Sequence, residues 1–117
     1  MKNKIKKKIK IGNRWIGEEY PPLVVPDIGI NHNGDIKKAK KMIKDAALAG
    51  AECVKFQCHV VEDEMVPAAK KIVPSNAKQS IWDIMKKCAF SEKQERELKD
   101  YTESLGMIFS DLKESNL

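Results

Sequence analysis

Lys55 and Gln57, in the stretch AECVKFQ, stand two residues apart. On a strand that spacing puts both side chains on one face. A lysine there can hold a phosphate or a carboxylate, and the glutamine beside it can hydrogen-bond a polar ligand. A second cluster, Asn31, His32, Asn33 and Gly34 in PDIGINHNGD, follows the apolar run LVV at 23–25. These residues are polar or flexible and make poor core material. Asp27, just ahead of them, adds a carboxylate, and His59 adds an imidazole two residues beyond Gln57. The chemistry on offer is anion binding, hydrogen bonding and movement of a proton.

The elements around these residues decide whether they can meet. Residues 23–28 are apolar and β-branched and too short for a helix, so they read as a strand. Asp35 suits a helix N-cap. Ile36, Ala39, Met42, Ile43, Ala46 and Ala47 then fall on one helical face, lysines take the other, and Gly50 is the stop. AECVKFQ is a second strand. A single helix between two strands predicts parallel neighbours with a right-handed crossover. Val54 and Phe56 then face the covering helices, opposite Lys55 and Gln57. A short helix is expected over 64–71, and a loop at Pro74, Ser75 and Asn76. Ser80 with Asp83, and Ser91 with Gln94, match capping boxes. Ile81, Ile84, Met85 and Cys88 form one helical stripe, and Leu98, Tyr101 and Leu105 the next. Gly106 ends that helix, and Met107, Ile108 and Phe109 begin a third strand. Upstream, residues 9–16 read as a hairpin about Gly12-Asn13. The whole is an α/β chain with a parallel sheet, and in such folds ligands bind beyond the carboxyl ends of the strands. Asn31, His32, Lys55 and Gln57 are expected at that mouth.

A structural alternative stands beside each residue. Asp27 can cap a loop or pair with Lys55. His32 can hold loop backbone, and Asn31, Asn33 and Gly34 can be turn formers. His59 can be a satisfied polar group at a strand end. The three cysteines, Cys53, Cys58 and Cys88, make no disulfide framework and fit a reducing compartment. With His59 they show no usual zinc spacing. The 117 residues suit one domain, and 42% hydrophobic with 33% charged content is that of a soluble globular protein. No apolar run approaches the ~20 residues of a membrane span, and MKNKIKKKIKIG lacks the apolar core of a secretory signal. A cytoplasmic location is expected. The net charge of +5 gathers at the first ten residues. Lysines alternating with isoleucines suit a protected edge strand; contact with nucleic acid is the alternative of another class.

The blocks IGINHNGD and AGAECVKFQ resemble the N-terminal barrel of the N-acetylneuraminate (sialic acid) synthase family. The continuation HVVEDEMVPAAKKIVPSNAKQSIWDIMKKCAF and the leading IKIGNRWIG do so too, and the resemblance covers about residues 9–109. It implies a (β/α)8 TIM barrel with a small antifreeze-like domain after it. A full barrel needs about 250 residues. The expectation is therefore an incomplete N-terminal portion with a leading hairpin: a basic arm at 1–8 and a partial barrel at 9–117, inactive alone. The family condenses phosphoenolpyruvate with an N-acetylated amino sugar such as N-acetylmannosamine, releasing phosphate and a nine-carbon sialic acid. A divalent metal, Mn or Mg, orients the aldehyde, and a cytoplasmic homodimer is the implied assembly. By motif, Lys55 would bind the phosphate or carboxylate of phosphoenolpyruvate, and Gln57 the sugar. Asn76 would reach the sugar from its loop, with Asn31 and His32 next. Asp27 stands where the family carries glutamate, one methylene shorter, and is the candidate catalytic residue, for acid–base work or sugar binding. After Phe109 the family has a hydroxyl-rich Ser-Thr-Pro-Phe segment; here SDLKESNL stands, with Leu112 near the family threonine. The metal-binding histidines fall beyond the stretch that this chain matches, so no metal ligand is expected in it. A legionaminic or pseudaminic acid synthase is equally compatible.

Overall fold

The computed structural model describes residues 6–113. Strands β1 (Lys8–Ile11) and β2 (Arg14–Gly17) pair antiparallel, with Ile9 opposite Ile16. Their two-residue turn is Gly12-Asn13, as expected, with Gly12 at φ +57°. Glycine in the first turn position removes the steric cost of that angle. Three lysines of the basic N-terminal stretch are engaged locally. Lys8 and Lys10 lie over the Trp15 ring, 4.5 and 5.4 Å from its centroid, and Lys6 pairs with Glu19. Residues 1–5 of that arm lie outside the described residues.

The main sheet has strands β3 (Asp27–Gly29), β4 (Cys53–Cys58) and β5 (Ile108–Lys113), in the order β3-β4-β5 and all parallel. The parallel arrangement is the one expected, but the first strand differs from expectation. Residues 23–26 are not in the sheet, and Val24 and Val25 are exposed. Pro21, Pro22 and Pro26 have no N–H to give a ladder. Only the Pro26 carbonyl takes part, accepting from the Lys55 N–H at 3.0 Å. The hairpin sits at the opposite end of the sheet from the strand carboxyl ends. Arg14 pairs with Glu52, just before β4, and the Gly12 turn approaches Ile108 at the start of β5.

Helix α1 (Ile36–Leu48) starts at Asp35, whose carboxylate accepts from the Lys37 and Lys38 N–H groups. It buries Ala39 and Ile43 on the sheet. Beyond β4 the expected helix over 64–71 is instead two pieces, α2 (Val61–Glu64) and a 3-10 turn over Pro67–Lys71. Pro67 has no N–H and disfavours helical backbone before it; Val66 is accordingly extended, with ψ 152°. Ser80 caps α3 (Ile81–Cys88), and a full Ser91–Gln94 capping box starts α4 (Glu92–Ser104). Helix α4 buries Leu98 and Thr102, whereas Leu105, expected on its stripe, is exposed at the C-cap. Ile28, Ala39, Ile43, Val54, Phe56, Leu98 and Met107 make one core between the sheet and these helices. Among the described residues no helix is long and apolar enough to cross a membrane.

Candidate active site

Strand β4 separates two chemistries by simple alternation. Val54 and Phe56 are buried toward the helices, and Phe56 stacks on Phe109 of β5 at 5.4 Å. Lys55 and Gln57 point the other way and are half-buried. Pairing places Asp27 beside Lys55, Ser110 on its other side, and Leu112 beside Gln57. Asp27, Lys55, Gln57, Ser110 and Leu112 therefore share the face that no helix covers. Lys55 forms no ion pair with any described residue, and neither does Asp27. The structural alternative for these two residues, a mutual ion pair, is not realised. An ammonium held by a strand between Asp27 and Ser110, with no ion pair among the described residues, suits an anionic ligand.

The loop after β3 behaves differently. Asn31 is exposed and donates its Nδ2 to the Ile28 carbonyl at 2.9 Å. His32 is fully buried, stacked on Phe90 at 4.3 Å and on Phe56 at 6.0 Å. Phe56 faces the helices, so His32 lies on that side, away from Lys55 and Gln57. This corrects the expectation that His32 reaches the mouth: its position in the chain is right, but the loop folds the ring inward. Its Nδ1 accepts from the Gly34 N–H at 3.0 Å. The ring proton of the neutral form is then on Nε2, which has no hydrogen-bond partner among the described residues. Burial holds the His32 pKa below its ordinary value; the Gly29 backbone opposes this and the Lys38 charge adds to it. Gly34 locks the turn. Its φ is +77°, and a Cβ there would lie 2.1 Å from the Lys87 carbonyl oxygen, so no other residue fits without displacing α3.

Asn76 is exposed in the loop after the 3-10 turn and makes no hydrogen bond with a described residue. The structure does not bind it to Lys55 or Gln57. The cysteines offer no nucleophile. All three are buried free thiols, and burial raises the pKa of each. Cys58 is raised furthest, with the Glu95 and Asp111 carboxylates adding to its desolvation. Among the described residues no group of His, Cys, Asp and Glu could hold a metal ion. A divalent metal does not fit this part of the molecule.

Sequence reasoning missed one connection. His59 and Glu64 bury their side chains together, each 6% exposed, with His59 Nδ1 donating to Glu64 Oε2 at 2.7 Å. His59 Nε2 faces Gln57 Oε1 at 3.3 Å. Nothing in helix or strand periodicity marks a five-residue separation. The only signal was a buried-side carboxylate directly after a strand.

With this geometry in view, comparison with known proteins places the chain. The profile of the NeuB family matches residues 42–111, more than half of the chain and all of β4 through most of β5. The chain belongs to the NeuB family. Its NeuB relatives include human N-acetylneuraminate-9-phosphate synthase, 36% identical over 102 residues. That match covers 83% of this chain and 28% of the human enzyme. The N,N'-diacetyllegionaminic acid synthase of Campylobacter jejuni is 45% identical over 49 residues, 42% of this chain and 15% of the relative. Among solved structures, the N-acetylneuraminic acid (sialic acid) synthetase of Leptospira borgpetersenii, in complex with citrate, superposes with a TM-score of 0.80 at 25% identity. It covers 95% of this chain, which spans 35% of that one. The chain thus spans about a third of these NeuB proteins or less. Its mixed α/β fold is like that of the synthetase, and the described strands form an open three-stranded sheet, not a closed barrel.

Proposed function

We propose that the open face of β3-β4-β5 is part of the mouth of a (β/α)8 synthase barrel. That synthase joins phosphoenolpyruvate to an N-acetylated amino sugar aldehyde. The observation that carries this is Lys55: a cation with no ion-pair partner among the described residues, on the sheet face left open by the helices, in a chain of the NeuB family. The Leptospira relative holds citrate, a multiply charged carboxylate, in keeping with a family built to bind anions.

In this reading Lys55 binds the phosphate or carboxylate of phosphoenolpyruvate and lowers the cost of gathering charge there. Gln57, two residues nearer the strand end, contacts the sugar, with Asn31 and Asn76 reaching in from their loops. His32 supports the site from behind by packing, not by touching ligand. The enol carbon attacks the aldehyde carbon, forming the new C–C bond. Water then adds at the phosphate-bearing carbon, and the tetrahedral adduct expels phosphate. Asp27, exposed beside Lys55, is the group of this chain placed to exchange a proton with that water or with the new hydroxyl. No step assigned here runs through a metal.

The test is a condensation assay in the complete barrel carrying this segment, with phosphoenolpyruvate and a panel of N-acetylated hexosamines. N-acetylmannosamine, its 6-phosphate and legionaminic-type sugars distinguish the sialic from the legionaminic reading, which the Campylobacter relative keeps open. Lys55→Ala should raise the KM for phosphoenolpyruvate at least about tenfold, the size of one lost charge-assisted hydrogen bond. Unchanged kinetics for phosphoenolpyruvate would remove Lys55 from the site.

A further inference from the structure

We propose that His59 and Glu64 are positioning residues that fix the orientation of the Gln57 side-chain amide at the mouth. This rests on the reading of Gln57 as a ligand contact, and it means that the amide meets a polar group of the ligand, such as a sugar hydroxyl or an N-acetyl group, already in one pose.

The arrangement is built from Glu64 outward. One carboxylate oxygen, Oε1, accepts from the Val60 N–H at 2.9 Å. The other, Oε2, accepts from His59 Nδ1 at 2.7 Å. The carboxylate is thereby held at both oxygens, and the imidazole is held by the carboxylate. The second ring nitrogen, Nε2, lies 3.3 Å from Gln57 Oε1, within hydrogen-bond reach of the side-chain amide. A pair that served only to tie down the loop after β4 would be complete at the Val60 and Glu64 contacts. The remaining nitrogen is instead aimed across the strand end at the one amide on the open face. His59 and Glu64 are buried, while Gln57 is half-buried at the edge of the open face. Beyond His59, the Gln57 side chain has no hydrogen-bond partner among the described residues. A glutamine free in solution samples many rotamers, and ordering it on binding weakens affinity. Here the ordering is done on folding. An amide has a donor end and an acceptor end; holding one end leaves the other for the ligand.

The chain has three glutamines, which permits a direct test by glutamine-selective 15N labelling. Gln94 is the ordered reference, since its side chain closes the α4 capping box, and Gln79 is exposed and is the mobile one. In the parent chain the Gln57 side-chain NH2 should show heteronuclear NOE values like those of Gln94. In His59→Phe, which keeps a ring but no nitrogen, and in Glu64→Met, which keeps length but no oxygen, they should fall to those of Gln79. A Gln57 pair as mobile as Gln79 in the parent overturns the proposal. So does a Gln57 pair that neither variant moves while Gln94 remains ordered. Should one variant lose the Gln94 signature, and with it the fold, the other variant and the parent measurement decide. No substrate is present, so failure here leaves the Lys55 reading standing. A rigid Gln57 whose replacement by alanine leaves the KM of the sugar unchanged would instead sink the reading of Gln57 as a sugar contact.

Discussion

The two faces of β4 differ in what they demand of their residues. On the helix side, Val54 and Phe56 are buried in one cluster with Ile28, Ile43 and Leu98, and Phe109 packs against it. On the other side, Lys55 and Gln57 meet no covering helix, and their neighbours across the strands are Asp27, Ser110 and Leu112. One strand thus supplies both the folding free energy and the candidate chemistry, from alternate residues. Polar groups can stand on the open face because the apolar ones hold the backbone beneath them. The comparison breaks most visibly if the helix side is emptied. Phe56→Ala removes a fully buried ring that also stacks on Phe109 and His32. It should cost about 3–5 kcal/mol, a large share of the roughly 5–15 kcal/mol typical of a folded domain. Urea unfolding followed by circular dichroism should show the midpoint collapse. A loss under about 1 kcal/mol would mean that this face is not the core.

His32 sharpens the comparison, because it brings a titratable group to the apolar side. Its pKa in the folded chain lies below the ordinary 6.5, chiefly through burial. As pH falls below that value the unfolded chain takes up the proton first. Stability contributed by the neutral ring is therefore fully present above pH 6.5 and is lost as pH falls toward the folded-state pKa. The slope from one such group is at most about 1.4 kcal/mol per pH unit. His32→Phe keeps a stacked ring and removes the proton site. Unfolding free energies at pH 7.5, 6.5 and 5.5 should then fall less steeply for the variant than for the parent. Parallel slopes would show that His32 is not sealed from water.

Much of this division was legible in the sequence. The alternation in Cys53–Cys58, the caps at Asp35, Ser80 and Ser91, and the single-helix crossover specify a parallel sheet with Lys55 and Gln57 on one face. Local chemistry determines each of those features. What was not legible depends on the direction of a loop. Asn33 at φ +54° and Gly34 at φ +77° turn the chain so that His32 enters the core and the backbone meets Lys87. Asn-Gly announces a turn but not the side to which the preceding ring goes. The strand expected over 23–28 shortens for a related reason: β-branched residues favour extended backbone, but proline decides whether it can join a ladder. The Gln57–His59–Glu64 chain was invisible because it joins a strand end to a one-turn helix, and neither periodicity spans that junction.

The smallest stability effect belongs to the residue with the most to do. Lys55 is half-buried, pairs with no described carboxylate, and leaves no cavity in the core when shortened. Lys55→Ala should therefore shift the unfolding free energy by no more than about 0.5 kcal/mol, the range of substitutions away from core, caps and buried networks. The same change is expected to weaken phosphoenolpyruvate binding in the complete barrel. Measuring both separates a residue kept for ligand from one kept for fold. A loss of about 2 kcal/mol or more on unfolding would place Lys55 in a structural ion pair, most directly with Asp27. In that case Asp27→Asn should cost a similar amount, and the double variant little more than either alone. If Lys55 instead proves neutral to folding, the open face of β4 is organised for something outside this segment, and the apolar face alone accounts for its stability.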